Sequence, residues 1–326
     1  MKVLLNGGVA RRGLAPLSRR FGDRIELREV LADDAADVLA EKMAWAEVLI
    51  SMNYDTEMPP APNLKLLHVP ASGLDTVALD AVPAGVAICN VYEHETGIAE
   101  YVLAGMLEWV VELAPRHRAF KAGDWAGTPR LGGAPRGELA GQTVGCLGYG
   151  NIGQAVARRA LAFDMRVEAL TRRPRPLAPE PAFLGGYGDL ADFLPRLDFL
   201  VVCCPLSETT RGMIGTAELA AMKPGAVVIN VARGHIVDED ALYDALREHR
   251  IAGAILDTWY QYPSAEDQAV RPSRHPFHDL DNVLMTPHVS GWTEGQQLRR
   301  WARTGDNIEA LMGGGDLINV IRQPSD

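Results

Sequence analysis

The 326-residue chain has little cysteine, no excess of positive charge and no long uninterrupted apolar run. Each shortage excludes something. The four cysteines, Cys89, Cys146, Cys203 and Cys204, all lie inside apolar runs, and no spacing among them resembles a zinc or disulfide framework. They read as buried thiols of a reducing compartment, with no metal site implied. A formal net charge of -10 argues against nucleic acid and anionic membrane surfaces as partners, because both would be repelled on average. The opening "MKVLLNGG" carries too short an apolar run for a signal peptide. The longest apolar stretch, "YVLAGMLEWVVELA", is interrupted by Glu108 and Glu112, so it is expected as a buried or interface helix and not as a membrane span. A cytoplasmic protein is the expectation.

What is present is apolar material in an ordered pattern. At 47% hydrophobic residues the chain can bury a large core, and its length predicts about two domains. Short apolar runs alternate with longer helical patterns: "VLLN", "EVLIS", "LLHV", "VAICN", then "TVGCL", "RVEAL", "DFLVVCC", "AVVINV", "AGAILD" and "NVLMT". This alternation predicts α/β architecture with doubly wound parallel sheets. A glycine- and proline-rich passage, Gly127 to Gln142, separates two groups of strands, each large enough for its own sheet.

The run "TVGCL" leads directly into "GYGNIG" and then into a helical pattern. Gly148, Gly150 and Gly153 have G-x-G-x-x-G spacing, with Tyr149, Asn151 and Ile152 between them. Strand, glycine turn and helix together give a tight bend, close backbone approach to a pyrophosphate and a helix N-terminus aimed at the anion. A dinucleotide site of Rossmann type is therefore expected. The next strand, "RVEAL", should end where a carboxylate usually holds the adenosine ribose hydroxyls, but here stand Thr171, Arg172 and Arg173, with Arg175 beyond. Losing the carboxylate removes repulsion toward a 2'-phosphate, and guanidinium groups favour it, so NADP(H) is the preferred cofactor and NAD(H) the alternative.

Four more stretches, "CCPLSETTRGMIG", "KPGAVVINVARGHIVDEDALYDAL", "AGAILDTWYQYP" and "NVLMTPHVSGWT", complete a pattern that, with "LGYGNIG" and "LKLLHVPASGLDTVAL", covers nearly the whole chain. In that order they resemble the D-isomer-specific 2-hydroxyacid dehydrogenase family, of the glyoxylate/hydroxypyruvate reductase and phosphoglycerate dehydrogenase type. The resemblance implies a discontinuous flavodoxin-like substrate domain, residues 1–97 plus 294–326, around an inserted Rossmann domain, residues 98–293. It implies a homodimer built on the helix beginning near Ala99. Arg233 matches the substrate-binding arginine, whose fork of donors suits a 2-keto carboxylate, and His288 matches the general acid/base. Asp257, Val231, Ala232 and Gly291 match positions around the nicotinamide. Pro205 and Thr210 match positions near the pyrophosphate and adenine-side ribose, and Ser72 and Gly73 match the loop amides that meet the substrate carboxylate. The implied reaction is reduction of a small 2-keto acid to a D-2-hydroxy acid.

One position departs from the family. The glutamate that usually pairs with the histidine is replaced by Tyr262, which carries no charge at neutral pH, so His288 should have a lower pKa than its family counterparts. Either Tyr262 orients the ring, or a carboxylate of the following insert, Glu266 or Asp267, folds back to replace the missing one. The alternative is a nucleotide-responsive binding protein of the same fold. Tyr92, Glu93 and His94 are expected to face the cleft, touching substrate or shaping its loop.

Overall fold

The computed structural model describes residues 1–125, 127–174, 176–264 and 267–324. Its chain forms two compact units, Met1–Glu93 with Glu294–Asp326, and His94–Thr293.

The first unit begins with β1 (Lys2–Asn6), in which Val3, Leu4 and Leu5 have no solvent exposure. Side chains alternate across a strand, so Val3 and Leu5 enter one apolar cluster and Leu4 the other. A strand buried on both faces needs no polar alternation, which is why it reads as an unbroken apolar run. Helices α1 (Gly8–Arg11) and α2 (Leu14–Phe21) follow, then β2 (Glu26–Val30), α3 (Ala36–Trp45), β3 (Val48–Ser51), β4 (Leu66–His68) and β5 (Ala87–Cys89).

The second unit opens with α4 (Glu95–Val111), whose buried Ile98, Ala99, Val102, Leu103 and Met106 recur at helical spacing and pack against α6. A left-handed Glu112 ends it before α5 (Leu113–Lys121). The Rossmann alternation then runs β6 (Thr143–Leu147), α6 (Asn151–Leu161), β7 (Arg166–Leu170), β8 (Phe183–Gly185), α7 (Leu190–Phe193), β9 (Phe199–Val202), α8 (Thr216–Ala221), β10 (Val227–Asn230), α9 (Glu239–Arg247), β11 (Gly253–Leu256) and β12 (Val283–Met285). All seven strands are parallel, in the order β12-β11-β10-β9-β6-β7-β8. The order reverses between β6 and β9, and such a switch point leaves a crevice at the carboxyl ends of the two strands. Apolar clusters cover both faces of the sheet. Each fully buried valine or leucine among them contributes about 1.5–3 kcal/mol.

The chain then returns to the first unit through α10 (Glu294–Gly313) and β13 (Val320–Arg322), completing the sheet order β13-β5-β4-β3-β1-β2. Only β13 runs antiparallel there. Asn307 of α10 fastens this return: its amide donates to Nε2 of the fully buried His68 at 3.1 Å and to the Ile318 carbonyl at 2.9 Å. Both units are thus α/β domains with predominantly parallel sheets, as the alternation of apolar runs predicts.

Candidate active site

Loops leaving the carboxyl ends of β6, β7, β9, β10, β11 and β12 carry the singled-out residues of the second unit. After β6 the chain turns at Gly148, whose φ of +106° is one that residues with a side chain rarely adopt. A Cβ there would lie 2.6 Å from the Cys204 nitrogen, and one on Gly153 would lie 2.3 Å from the Gly148 carbonyl oxygen. Gly150 differs, since nothing stands within 4 Å of an added Cβ. It is the N-cap of α6 and makes no side-chain capping bond, so the first-turn amides of Asn151 and Ile152 are left for an anion. Two packed glycines, one open glycine and an uncapped helix start fit a dinucleotide pyrophosphate. Tyr149 contributes backbone only: its ring is buried and its hydroxyl donates to the Pro179 carbonyl at 2.6 Å.

At the end of β7, the Thr171 amide donates to the Gly185 carbonyl at 2.9 Å. Arg172 and Arg173 are exposed, and neither guanidinium makes a hydrogen bond or ion pair among the described residues. Arg175 lies outside those residues. After β9, Thr210 is buried, donating to the Pro205 carbonyl at 2.7 Å and accepting from the Ser207 amide at 2.8 Å. Its hydroxyl therefore shapes the loop from within.

Asn230 ends β10 and folds the loop that presents Arg233. Its side-chain oxygen accepts from the Ala232 amide at 3.1 Å, and its NH2 donates to the Arg233 carbonyl at 3.0 Å. Val231 and Ala232 are buried as a result, while Arg233 is partly exposed and donates to the Ala232 carbonyl at 2.8 Å.

Asp257, after β11, has no solvent exposure and clamps the loop after β12. Its Oδ1 accepts from the Thr286 hydroxyl at 2.5 Å and the Val289 amide at 2.8 Å, and its Oδ2 from the Ser290 amide at 2.9 Å. Because the Thr286 hydrogen is committed to Asp257, the Tyr101 hydroxyl donates to Thr286 Oγ1 at 2.7 Å. The Trp259 indole donates to the Thr286 carbonyl at 2.8 Å. Between these anchors stands His288, with φ of +58°. A non-glycine residue in that region costs on the order of 1–3 kcal/mol and persists only when its surroundings hold it. Asp257 does so through the two residues that follow.

His288 Nδ1 lies 2.9 Å from the Tyr262 hydroxyl, whose oxygen accepts the Trp259 amide at 3.1 Å. Packing of protein around the imidazole disfavours its charged form and lowers its pKa; Asp257 opposes this, and Arg233 adds to it. The Tyr262 phenol is raised by burial, with the Trp259 amide and Arg233 pulling the other way. The absent glutamate concerns the comparison with family counterparts; the lowering here comes first from desolvation of the ring. Asp267 does not replace that carboxylate. Its Oδ1 accepts from the Ala269 amide at 3.1 Å within its own turn, and the Nδ1 partner is Tyr262. Glu266 lies outside the described residues. Asn230, Trp259, Thr286 and Tyr101 are the site-shaping residues that sequence reasoning missed. The first three stand inside the quoted motifs, and only buried polarity at strand ends hints at them.

In the first unit, Ser72 and Gly73 occupy the loop after β4, where Asn90 donates to the Ser72 carbonyl at 3.0 Å. Glu93 is drawn to α10: its carboxylate accepts from Arg303 at 3.2 and 3.3 Å and its carbonyl from Arg299 at 3.1 Å. It shapes the loop.

The chain matches the family model "D-isomer specific 2-hydroxyacid dehydrogenase, NAD binding domain" over residues 103–290. It is 31% identical to a glycerate dehydrogenase of Methylorubrum extorquens, across 93% of this chain and 95% of that one. It is 32% identical to a glyoxylate reductase of Thermococcus onnurineus, across 96% and 93%. A solved 2-hydroxyacid dehydrogenase from Ketogulonicigenium vulgare Y25 superimposes with a TM-score of 0.82 at 27% identity, covering 99% of both chains. The chain belongs to the D-isomer-specific 2-hydroxyacid dehydrogenase family and is an NAD(P)-dependent dehydrogenase.

Proposed function

We propose that this enzyme reduces a small 2-keto acid to the D-2-hydroxy acid with NADP(H) as preferred cofactor, NAD(H) being usable. The carrying observation is that Arg233 and His288 leave the same sheet edge as the open Gly150 turn, each on a loop held by a buried side chain, Asn230 or Asp257. When bound, the reduced dinucleotide supplies a hydride to substrate C2. Arg233 grips the substrate carboxylate and polarises the keto oxygen, and His288 protonates that oxygen as charge develops on it. The Ser72 and Gly73 amides are assigned the substrate carboxylate by family position. On the same basis Val231, Ala232 and Gly291 are assigned the nicotinamide and Pro205 the region of the pyrophosphate and ribose, while the buried Asp257 carboxylate and Thr210 hydroxyl, engaged within the protein, shape those loops from behind. Glyoxylate and hydroxypyruvate, on which relatives are named to act, are the first substrates to expect.

The NADP preference rests on Thr171 and on the exposed Arg172 and Arg173, which have no hydrogen-bond or ion-pair partner among the described residues. The exposed Leu113, Phe120, Trp125 and Leu131 beyond α4 support a homodimer. No helix among the described residues is long and apolar enough to cross a membrane. The test is a panel of glyoxylate, hydroxypyruvate and pyruvate with NADPH and NADH, run on the native chain and on the Arg172→Ala, Arg173→Ala double variant. The variant should raise the Michaelis constant for NADPH about tenfold or more and leave that for NADH nearly unchanged. Equal effects on both would remove the 2'-phosphate assignment.

A further inference from the structure

The contacts of Tyr262 favour one direction for its hydrogen bond with His288. A phenol oxygen carries one hydrogen, and this one already accepts the Trp259 amide. Among the described residues the acceptor the phenol hydrogen meets is His288 Nδ1, 2.9 Å away, with solvent as its competitor because Tyr262 is 45% exposed. A carboxylate could only accept, which would favour hydrogen on Nδ1 and the imidazolium. A phenol in this position does the reverse: it fills the Nδ1 lone pair and leaves the ring hydrogen on Nε2. The charges that face the imidazole are Asp257, which favours protonation, and Arg233, which opposes it.

We propose that Tyr262 is a positioning residue that holds His288 as the neutral Nε2–H tautomer and passes its own proton to Nδ1 as Nε2 delivers one to the substrate. This rests on the 2-keto acid reductase reading above. In reduction, a C–H bond of the dihydronicotinamide breaks, a C–H bond forms at C2, and the carbonyl π pair moves to oxygen. That oxygen takes the Nε2 proton and Nδ1 takes the phenol proton; the phenolate, favoured by the Trp259 amide and the Arg233 charge, then recovers its proton from Nδ1 as solvent supplies one to Nε2, which restores the starting tautomer. One hydride and one proton are consumed, the keto acid is reduced and the dinucleotide is oxidised. The imidazole is never required to be charged, so reduction should stay level as pH rises through the ordinary imidazole range and decline only where the phenol ionises.

The experiment has one readout independent of turnover. With 15N-labelled histidine, the His288 resonances of the native chain at pH 7.5 should show hydrogen on Nε2 and a bare, hydrogen-bonded Nδ1; a protonated Nδ1 overturns the proposal. In Tyr262→Phe the rate of reduction should fall about tenfold or more with nearly unchanged KM, and its pH profile should bend downward through the imidazole range. The proton inventory should change from two protons in flight to one. Tyr262→Glu should restore rate at low pH but keep the bend. Unaltered pH profiles in both variants, with circular dichroism and NADPH affinity confirming that they fold, would overturn it too. His288→Ala is measured alongside: an unchanged rate there removes the reductase reading itself, whereas a lost rate with Nδ1 protonated in the native chain removes only the tautomer inference.

Discussion

Replacing Asp257 by asparagine exchanges one oxygen for an NH2 group at a position without solvent contact. The carboxylate accepts the Thr286 hydroxyl and the Val289 and Ser290 amides at 2.5, 2.8 and 2.9 Å. However the new side chain is turned, one of the two backbone N–H groups then faces another donor. A buried donor left unsatisfied costs about 1–3 kcal/mol, and the bonds that survive lose the charge that made them roughly twice as strong. The loss totals about 3 kcal/mol. At roughly 2–4 °C per kcal/mol for a domain of this size, Tm should drop by roughly 6–12 °C. His288 should also lose its left-handed backbone, because the two residues that follow it are no longer held, and activity should fall further than stability alone requires. Thermal melts followed by circular dichroism, with NADPH affinity measured below the transition, check this. A Tm within about 1 °C of the native value would refute the reasoning that Asp257 clamps the histidine loop.

The glycine turn offers a contrast. Gly153→Ala should lower Tm, since its Cβ would press on the Gly148 carbonyl. Gly150→Ala should melt normally yet bind NADPH more weakly, because its Cβ occupies only the space a pyrophosphate needs. Comparable melting of the two variants would contradict this. His68 supplies a pH prediction. Burial holds its folded-state pKa down to about 3, so the unfolded chain binds the extra proton first, and stability present above about 6.5 is lost as pH falls toward 3. In His68→Leu the slope of unfolding free energy with pH in that window should shrink by about 1.4 kcal/mol per pH unit, measured by urea titration between pH 4 and 6. An unchanged slope would exclude His68 as the source.

The inner strands were legible because burial on both faces writes them as unbroken apolar runs, as in "KVLLN" and "TVGCL". Three edge elements were not. In "ELREV" of β2 charged residues interrupt a half-exposed strand, and β8 and β13 are three residues long, too short for a pattern to show. The dinucleotide turn could be read from its glycines, but that Tyr149 points into the core and Thr210 into its own loop depended on packing no spacing encodes. The absence of a carboxylate beside His288 was equally plain. What stands in its place, a phenol oxygen that accepts a backbone amide and lies 2.9 Å from Nδ1, requires three-dimensional geometry. Tyr101 supports Thr286 from 185 positions away, a separation at which sequence alone carries no signal.

The most direct test of the account is His288→Ala assayed for NADPH-dependent reduction of glyoxylate and hydroxypyruvate, with NADPH affinity measured on the same preparation. A fall in kcat of about 10²–10⁴-fold with nucleotide affinity within twofold of native is the predicted result. Turnover at the native rate would contradict the assignment of the proton to this imidazole.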